Sequence, residues 1–162
     1  EIIRQCFDLP TNIYDFERRV VRRGYYRASE LRISSKYINS PIFSKADCLI
    51  AMNKPSLDKF INKVEDNGVI LYNASLINEV NTEVKSIGIP VNSIAAELGN
   101  SKVINMVMMG AYLEFFNTFS QDLIEKVLIK ILGPEKEKMV DINIKALYAG
   151  RKYVKSLGET NV

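Results

Sequence analysis

Arginine is the residue type in this chain whose number and placement could support binding chemistry. Seven of the eight arginines lie in the first quarter of the 162 residues. They are Arg4, Arg18, Arg19, Arg22, Arg23, Arg27 and Arg32. Residues 1–40 carry 8 Lys+Arg and 5 Asp+Glu, so the whole formal net charge of +3 resides there. Because a guanidinium binds phosphate or carboxylate bidentately, the cluster predicts an anion-binding surface. The alternative is a solvated helix face.

The rest of the composition excludes several classes of site. Histidine is absent, which excludes Ser-His-Asp and Cys-His nucleophile systems and His-ligated metals. The two cysteines, Cys6 and Cys48, cannot alone hold a zinc ion or an iron–sulfur cluster. Cys48 lies in an apolar run and is expected to be a reduced core residue, which favours a cytoplasmic location. The sequence contains no Walker or dinucleotide-type glycine-rich loop and no evident catalytic carboxylate pair.

The elements that must position these residues alternate between helix and strand before the chain becomes helical. The spacing of Ile13, Phe16 and Val20 predicts a helix over 12–23, and a short strand is expected to follow around Leu31. Apolar runs then predict three strands, at 47–52, 69–72 and 87–91. The first two should be parallel and joined by a helix that Ser56 caps. Further helices are predicted over 93–99, 101–116, 120–133 and 136–157.

This order of elements predicts an α/β domain of three layers, with a mainly parallel sheet and a helical C-terminal third. Asn53 follows the first buried strand, at the edge where such sheets place ligands. Capping the turn before Pro55 is its alternative role. Asn105, polar in an apolar helix, is expected to need a buried partner, at a subunit contact or within the domain. Gly110 predicts a close helix crossing.

Several segments, in order along the chain, resemble the γ subunit of 2-oxoacid:ferredoxin oxidoreductases. The family includes pyruvate, 2-oxoglutarate, 2-oxoisovalerate and indolepyruvate oxidoreductases. The most specific segments are LIAMNKPSLDKF (49–60), VILYNASL (69–76) and IPVNSIAAELGNSKVINMVMMGA (89–111). NIKALYAG (143–150) is similar to the final helix of the family, and RRGYYRASELRIS (22–34) is similar to its Arg-Gly-Gly segment.

The resemblance implies a Rossmann-like fold and a single γ-type domain over 1–162. The sequence shows no counterpart of the N-terminal strand and the Gly-x-Gly-Gly-Gln-Gly loop with which family members usually begin, so we expect either a truncated chain or a divergent copy that has lost the loop. The implied function is a subunit of a complex that converts a 2-oxoacid and coenzyme A to acyl-CoA, with electrons passing to ferredoxin. Thiamine diphosphate, magnesium and iron–sulfur clusters are expected on partner subunits. The chain is thus expected to bind no cofactor alone, to serve assembly and to be inactive in isolation.

The same resemblance selects the residues expected to lie near coenzyme A. Arg22 and Arg23 fall at the position of the family's Arg-Gly-Gly turn, so their charges are predicted to meet the phosphates. Gly24 would let the backbone approach the ligand closely. Asn53 is the fourth candidate, because of its place after a strand. No catalytic residue and no metal ligand is assigned.

Two other functions are compatible with the sequence. The missing glycine loop favours a divergent, stand-alone scaffold paralogue. A nucleic-acid-binding module would use Arg18 to Arg32 with Tyr25 and Tyr26 between them. Glu17 and Glu30 dilute that patch, so no nucleic-acid partner is expected. No membrane partner is expected either, since no apolar run reaches the roughly 18 residues of a span.

Overall fold

The computed structural model describes residues 12–18, 28–34, 44–117, 119–132 and 137–159. Its strands are β1 (Asn12–Arg18), β2 (Ala28–Ser34), β3 (Ala46–Ala51), β4 (Val64–Asn73) and β5 (Lys85–Ile89). Its helices are α1 (Lys54–Phe60), α2 (Val91–Glu97), α3 (Ile104–Phe116), α4 (Gln121–Leu132) and α5 (Glu137–Leu157). Short 3₁₀ turns at Ile61–Lys63 and Ser101–Val103 follow α1 and precede α3. The predicted mixed α/β chain with a helical C-terminal part is confirmed.

Three parallel strands form the centre of the domain, in the order β3-β4-β5. The predicted β3–α1–β4 unit with parallel strands is confirmed. Within the described part of the chain β5 pairs on one side only, and it ends at Ile89, directly before Pro90. Proline has no N–H to donate to a ladder, so β5 stops before Pro90 and lies two residues earlier at each end than the predicted 87–91.

The two faces of this sheet are covered by different elements. Alternate residues of β4 point to opposite sides because side chains alternate along a strand. Val69 and Leu71 face the large core that the C-terminal helices complete. Ile70 faces a smaller cluster with Leu57 of α1 and Ile77 of the loop after β4. A sheet buried on both faces explains why its strands read as nearly continuous apolar runs.

Helices α3 and α5 cross at two glycines. A Cβ added to Gly110 would lie 2.0 Å from the carbonyl oxygen of Leu147. A Cβ added to Gly150 would lie 1.9 Å from the carbonyl oxygen of Val107. The close crossing predicted from Gly110 is therefore confirmed, and Gly150 is its counterpart on α5. Backbone-to-backbone contact of this kind is possible only where neither helix carries a side chain.

Polar side chains join the same helices to each other and to the sheet. Arg151 Nε donates to Glu114 Oε2 over 2.8 Å, which links α5 to α3. The Tyr148 hydroxyl donates to Glu125 of α4. Desolvation, and after it this hydrogen bond, raises the pKa of Tyr148 to about 12. Lys85 at the start of β5 pairs with Glu159, beyond α5, over 2.7 Å.

The helix predicted over 12–23 is wrong. Residues Asn12–Arg18 form β1, which pairs antiparallel with β2 in a register from Asn12↔Ser34 to Arg18↔Ala28. The short strand expected around Leu31 is confirmed as part of β2. Strand pairing depends on the partner more than on local preference, so a partner strand can override a helical spacing of apolar residues.

Two further local predictions are corrected. The cap of α1 is Asn53, not the predicted Ser56, and the α-helix ends at Phe60. Asn105 is exposed, so the buried partner expected within the domain is wrong, whereas the subunit contact stays a prediction; Met106 and its neighbours fill the core. Cys48 is a half-buried free thiol packed against the large core.

No helix in the described ranges has the length and hydropathy needed to span a bilayer.

Candidate functional site

Polar side chains gather where the three parallel strands end. Asn53 follows β3 by two residues, Asn73 is the last residue of β4, and Asn92 lies in the first turn of α2, after β5. The register brings these ends to one edge, since Ala51 pairs with Tyr72 and Asn73 with Ile89. The crevice outside the carboxyl ends of parallel strands is where open α/β sheets bind ligands. This edge is the candidate site.

Asn53 is held in place by the start of α1. Its extended backbone stands before the helix, and its Oδ1 accepts a hydrogen bond from Ser56 N–H at 2.9 Å. Its carbonyl accepts from Leu57 N–H at 3.1 Å. Pro55 is tolerated there because the first helical N–H groups have no partner within the helix. The capping role that the sequence offered for Asn53 is thus confirmed, and it fixes the side chain at the edge of the sheet.

Asn73 connects the three strand ends. Within the described ranges it is the one fully buried polar residue, with 0% of its surface exposed. Its Nδ2 donates to the carbonyl of Met52 at 3.3 Å and to Asn92 Oδ1 at 2.9 Å. Its Oδ1 accepts from Ser75 N–H at 3.0 Å. A buried amide is tolerated only when its hydrogen bonds are made, and this one makes three.

Ser75 completes the network. Its Oγ accepts from the backbone N–H of Asn92 at 3.2 Å, so the turn after β4 is tied to the first turn of α2. The backbone reinforces the same geometry, because Ala74 N–H donates to the Ile89 carbonyl at 2.9 Å. The sequence prediction missed Asn73, Ser75 and Asn92. An asparagine ending the apolar run VILYN was the signal that could have found the first of them.

The other three residues predicted for the site lie outside the described residues. Arg22, Arg23 and Gly24 fall in the segment 19–27, between β1 and β2. Of the four candidates, the structure therefore locates Asn53 and brings it next to a network that the sequence prediction did not include. The placement of the two arginines stays a prediction.

The chemistry available at the strand ends is hydrogen bonding by neutral groups. Three asparagine amides and one hydroxyl carry no charge, and Lys54 beside them is paired with Asp58 at 2.5 Å. Across the described ranges no three His, Cys, Asp or Glu side chains are grouped as metal ligands. Cys48, on β3, has its pKa raised to about 12 by burial and by the charge of Asp47, so at neutral pH it is a thiol rather than a nucleophilic thiolate. The site is suited to binding and positioning.

Fold and site together define a Rossmann-like α/β domain with a polar strand-end edge. The model of the pyruvate ferredoxin/flavodoxin oxidoreductase family matches residues 15–153. The chain therefore belongs to that family, and the predicted resemblance is confirmed. It is 31% identical over 134 residues to the ketoisovalerate oxidoreductase subunit VorA of Methanothermobacter thermautotrophicus. That match covers 83% of this chain and 28% of the relative, so the chain spans little more than a quarter of the length of VorA.

Solved structures share the fold. The 2-oxoglutarate:ferredoxin oxidoreductase from Magnetococcus marinus, solved with 2-oxoglutarate, coenzyme A and succinyl-CoA bound, aligns with a TM-score of 0.83 at 22% identity. The alignment covers 99% of this chain and 28% of that chain. The keto/oxoacid ferredoxin oxidoreductase γ subunit from Geobacter sulfurreducens aligns with a TM-score of 0.78 at 19% identity, over 96% of this chain and 88% of that one. The predicted Rossmann-like fold is confirmed.

Proposed function

We propose that this chain is the γ-type part of a 2-oxoacid:ferredoxin oxidoreductase. In the proposed overall reaction the bond between the carboxylate and the 2-oxo carbon breaks and CO₂ leaves. The acyl carbon forms a thioester with the sulfur of coenzyme A, whose thiol proton is released. The two electrons set free reduce two molecules of oxidised ferredoxin. Family membership over most of the chain carries the proposal.

Names of relatives support a 2-oxoacid as the substrate class. The relative VorA is named for ketoisovalerate, and the Magnetococcus enzyme is named for 2-oxoglutarate. Both compounds carry a carbonyl next to a carboxylate, and they differ only in the rest of the carbon chain. The proposal therefore names the substrate as a 2-oxoacid and does not choose between these two compounds.

This chain serves assembly and the approach of coenzyme A rather than redox chemistry. A chain with two cysteines and no histidine lacks the four ligands of an iron–sulfur cluster. The iron–sulfur clusters, thiamine diphosphate and its magnesium therefore belong to partner subunits, and ferredoxin meets the complex through them. The isolated chain is inactive. We place the complex in the cytoplasm, in keeping with a thiol at Cys48 that has no disulfide partner in the described ranges.

Coenzyme A approaches along the surface that includes the strand-end edge. Arg22 and Arg23 meet its phosphates, where two guanidinium groups supply the charge that such anions require. Gly24 leaves room for the backbone to come close. Asn53 lies at the edge of the sheet towards which the remainder of the ligand extends.

The experiment is affinity purification of the tagged chain from its native cells. Recovery of a thiamine-binding and an iron–sulfur subunit is expected, and the eluate should reduce a dye only when a 2-oxoacid and coenzyme A are both present. Arg22→Ala/Arg23→Ala in the complex should raise the KM for coenzyme A about ten-fold or more, since each lost bond is charge-assisted. Arg4→Ala, which removes another arginine from the same end, is the matched control. A chain recovered alone, or with nucleic acid, would contradict the proposal.

A further inference from the structure

Strand β4 bulges near its start. In its ladder with β3, Ala46 pairs with Val64 and the next pair joins Cys48 to Val69. One residue of β3 therefore stands opposite four residues of β4, 65–68, and the ladder of β4 with β5 begins only at Val69. Within the described ranges these four residues have no ladder partner on either side, so strand pairing does not hold their backbone. We call residues 65–68 the β4 bulge.

The last residue of the β4 bulge has to be a glycine. A Cβ added to Gly68 would lie 2.8 Å from Val64 Cγ1 and 2.9 Å from the carbonyl oxygens of Asp47 and Glu65. Two of these three neighbours are backbone atoms, which cannot turn aside as the end of a flexible side chain can. The packing of β3 against β4 therefore requires that Asn67 be followed by a residue without a side chain.

Asn67 has the surroundings in which an asparagine amide reacts with its own backbone. The residue is exposed to solvent, and nothing in the described part of the chain hydrogen-bonds to its side chain. The next backbone nitrogen can attack the side-chain amide once the reacting atoms come within about 3–3.5 Å of each other. Glycine at the next position favours this approach, because it lacks a Cβ and allows the widest range of backbone angles.

We propose that Asn67 is a site of spontaneous modification, at which the side-chain amide is lost through a cyclic imide. The Gly68 nitrogen forms a bond to Asn67 Cγ, the bond from Cγ to Nδ2 breaks, and ammonia leaves with the proton of the Gly68 N–H. Water then opens the imide. If the new bond to Cγ breaks, the product is aspartate; if the original peptide bond breaks, the product is isoaspartate, whose main chain runs through Cβ and Cγ. This inference does not depend on the proposed function.

Either product changes the charge and the length of the β4 bulge. The bulge already carries Glu65 and Asp66, and Lys45 lies within 3.8 Å of the first carboxylate and 3.1 Å of the second. The product adds a third carboxylate to this single ammonium group. Isoaspartate also lengthens the main chain by one carbon, directly before the pair of Cys48 with Val69. The isoaspartate form should therefore unfold at a lower urea concentration than the original chain.

The experiment incubates the tagged full chain, as purified from its native cells with any bound subunits, in mildly alkaline buffer. Peptide mass mapping follows Asn67 and Asn81 in the same samples. Asn81 is the internal control, because it is also exposed but is followed by Thr82, whose branched Cβ obstructs the attack. The peptide with Asn67 should gain one mass unit about ten-fold faster or more than the peptide with Asn81, and chromatography should separate an aspartate and an isoaspartate form.

Asn67→Gln is the matched variant, because it keeps an exposed amide but moves that amide one carbon further from the Gly68 nitrogen. Its peptide should keep its mass, and its urea midpoint should not fall during the incubation. Equal rates at Asn67 and Asn81 would overturn the proposal. Aspartate without isoaspartate would also do so, since it indicates direct hydrolysis of the side chain. A mass gain that persists in Asn67→Gln would assign the change to another residue.

Discussion

The glycine crossing of α3 and α5 allows the effect of adding one methyl group to be worked out from the structure. In Gly110→Ala the new Cβ would stand 2.0 Å from the Leu147 carbonyl oxygen, whereas close carbon–oxygen contacts between helices lie at about 3.3–3.6 Å. The helices must therefore move apart by more than about 1 Å. A gap of that size removes a quarter to a half of the dispersion energy across the contact.

The expected loss of unfolding free energy is at the upper end of the overpacking range, about 3 kcal/mol. Gly150→Ala should cost a similar amount, because its Cβ would lie 1.9 Å from the Val107 carbonyl oxygen. One outward shift of α5 relieves both clashes. The double variant should thus lose about 4 kcal/mol, clearly less than the sum of the single losses.

Urea unfolding of the chain, followed by circular dichroism, measures these losses. With a slope of about 2 kcal/mol per molar urea, each single variant should lower the midpoint by about 1.5 M. Gly158→Ala is the control, since Gly158 has a φ of +69° and open space around it. That change should cost only about 1 kcal/mol, for left-handed backbone. A midpoint within about 0.3 M of the unmodified chain for Gly110→Ala, or full additivity in the double variant, would refute the reasoning.

Three further outcomes follow from single residues. Asn73→Asp should destabilise the chain increasingly as the pH rises above about 4. The second carboxylate oxygen of the new aspartate would face two acceptors, the Met52 carbonyl and Asn92 Oδ1, so the pKa of this aspartate would be higher in the folded chain than in the unfolded chain. A free energy of unfolding that stays constant from pH 4 to 7 in urea titrations would contradict this prediction. Glu114→Ala should lower the free energy of unfolding by about 3 kcal/mol in the same assay, because it leaves the largely buried Arg151 guanidinium without its carboxylate partner. The double variant Glu114→Leu/Arg151→Met removes both charges and should recover most of that loss. Burial raises the pKa of Cys48 to about 12, so this thiol should react with iodoacetamide at pH 8 only as urea unfolds the chain. Rapid labelling of Cys48 in the native chain would contradict this prediction.

Apolar periodicity was sufficient to predict the central sheet and the C-terminal helices. Strand β4 is buried on both faces and β3 packs against both clusters through partly buried residues, so each appears in the sequence as a short apolar run. Gly110 predicted a crossing because a glycine within a helix is unfavourable unless something needs its space. In these elements the local sequence and the final packing favour the same structure.

Elements that depend on a distant partner were predicted less well. The apolar residues of β1 happen to repeat at helical intervals, and only the pairing with β2 decides that they form a strand. Asn105 was expected inside because its neighbours are apolar, yet the faces of α3 are set by what packs on them. Neither the pairing of β1 with β2 nor the exposure of Asn105 can be predicted from a short stretch of neighbouring residues.

The candidate site was predicted in part for the same reason. Asn53 was found because a residue that follows a buried strand must lie at the edge of the sheet. The role of Asn73 depends on Met52 and on Asn92, which are 21 and 19 residues away in the sequence. Only the parallel register brings those atoms within hydrogen-bonding distance.

The central claim is that this chain works as part of a 2-oxoacid:ferredoxin oxidoreductase. The most direct test reconstitutes the complex from its purified subunits with and without this chain. It then follows ferredoxin reduction with a 2-oxoacid and coenzyme A. We expect reduction that needs all subunits and both substrates, and none from this chain alone. Undiminished, coenzyme A-dependent reduction by the other subunits without this chain would contradict the claim.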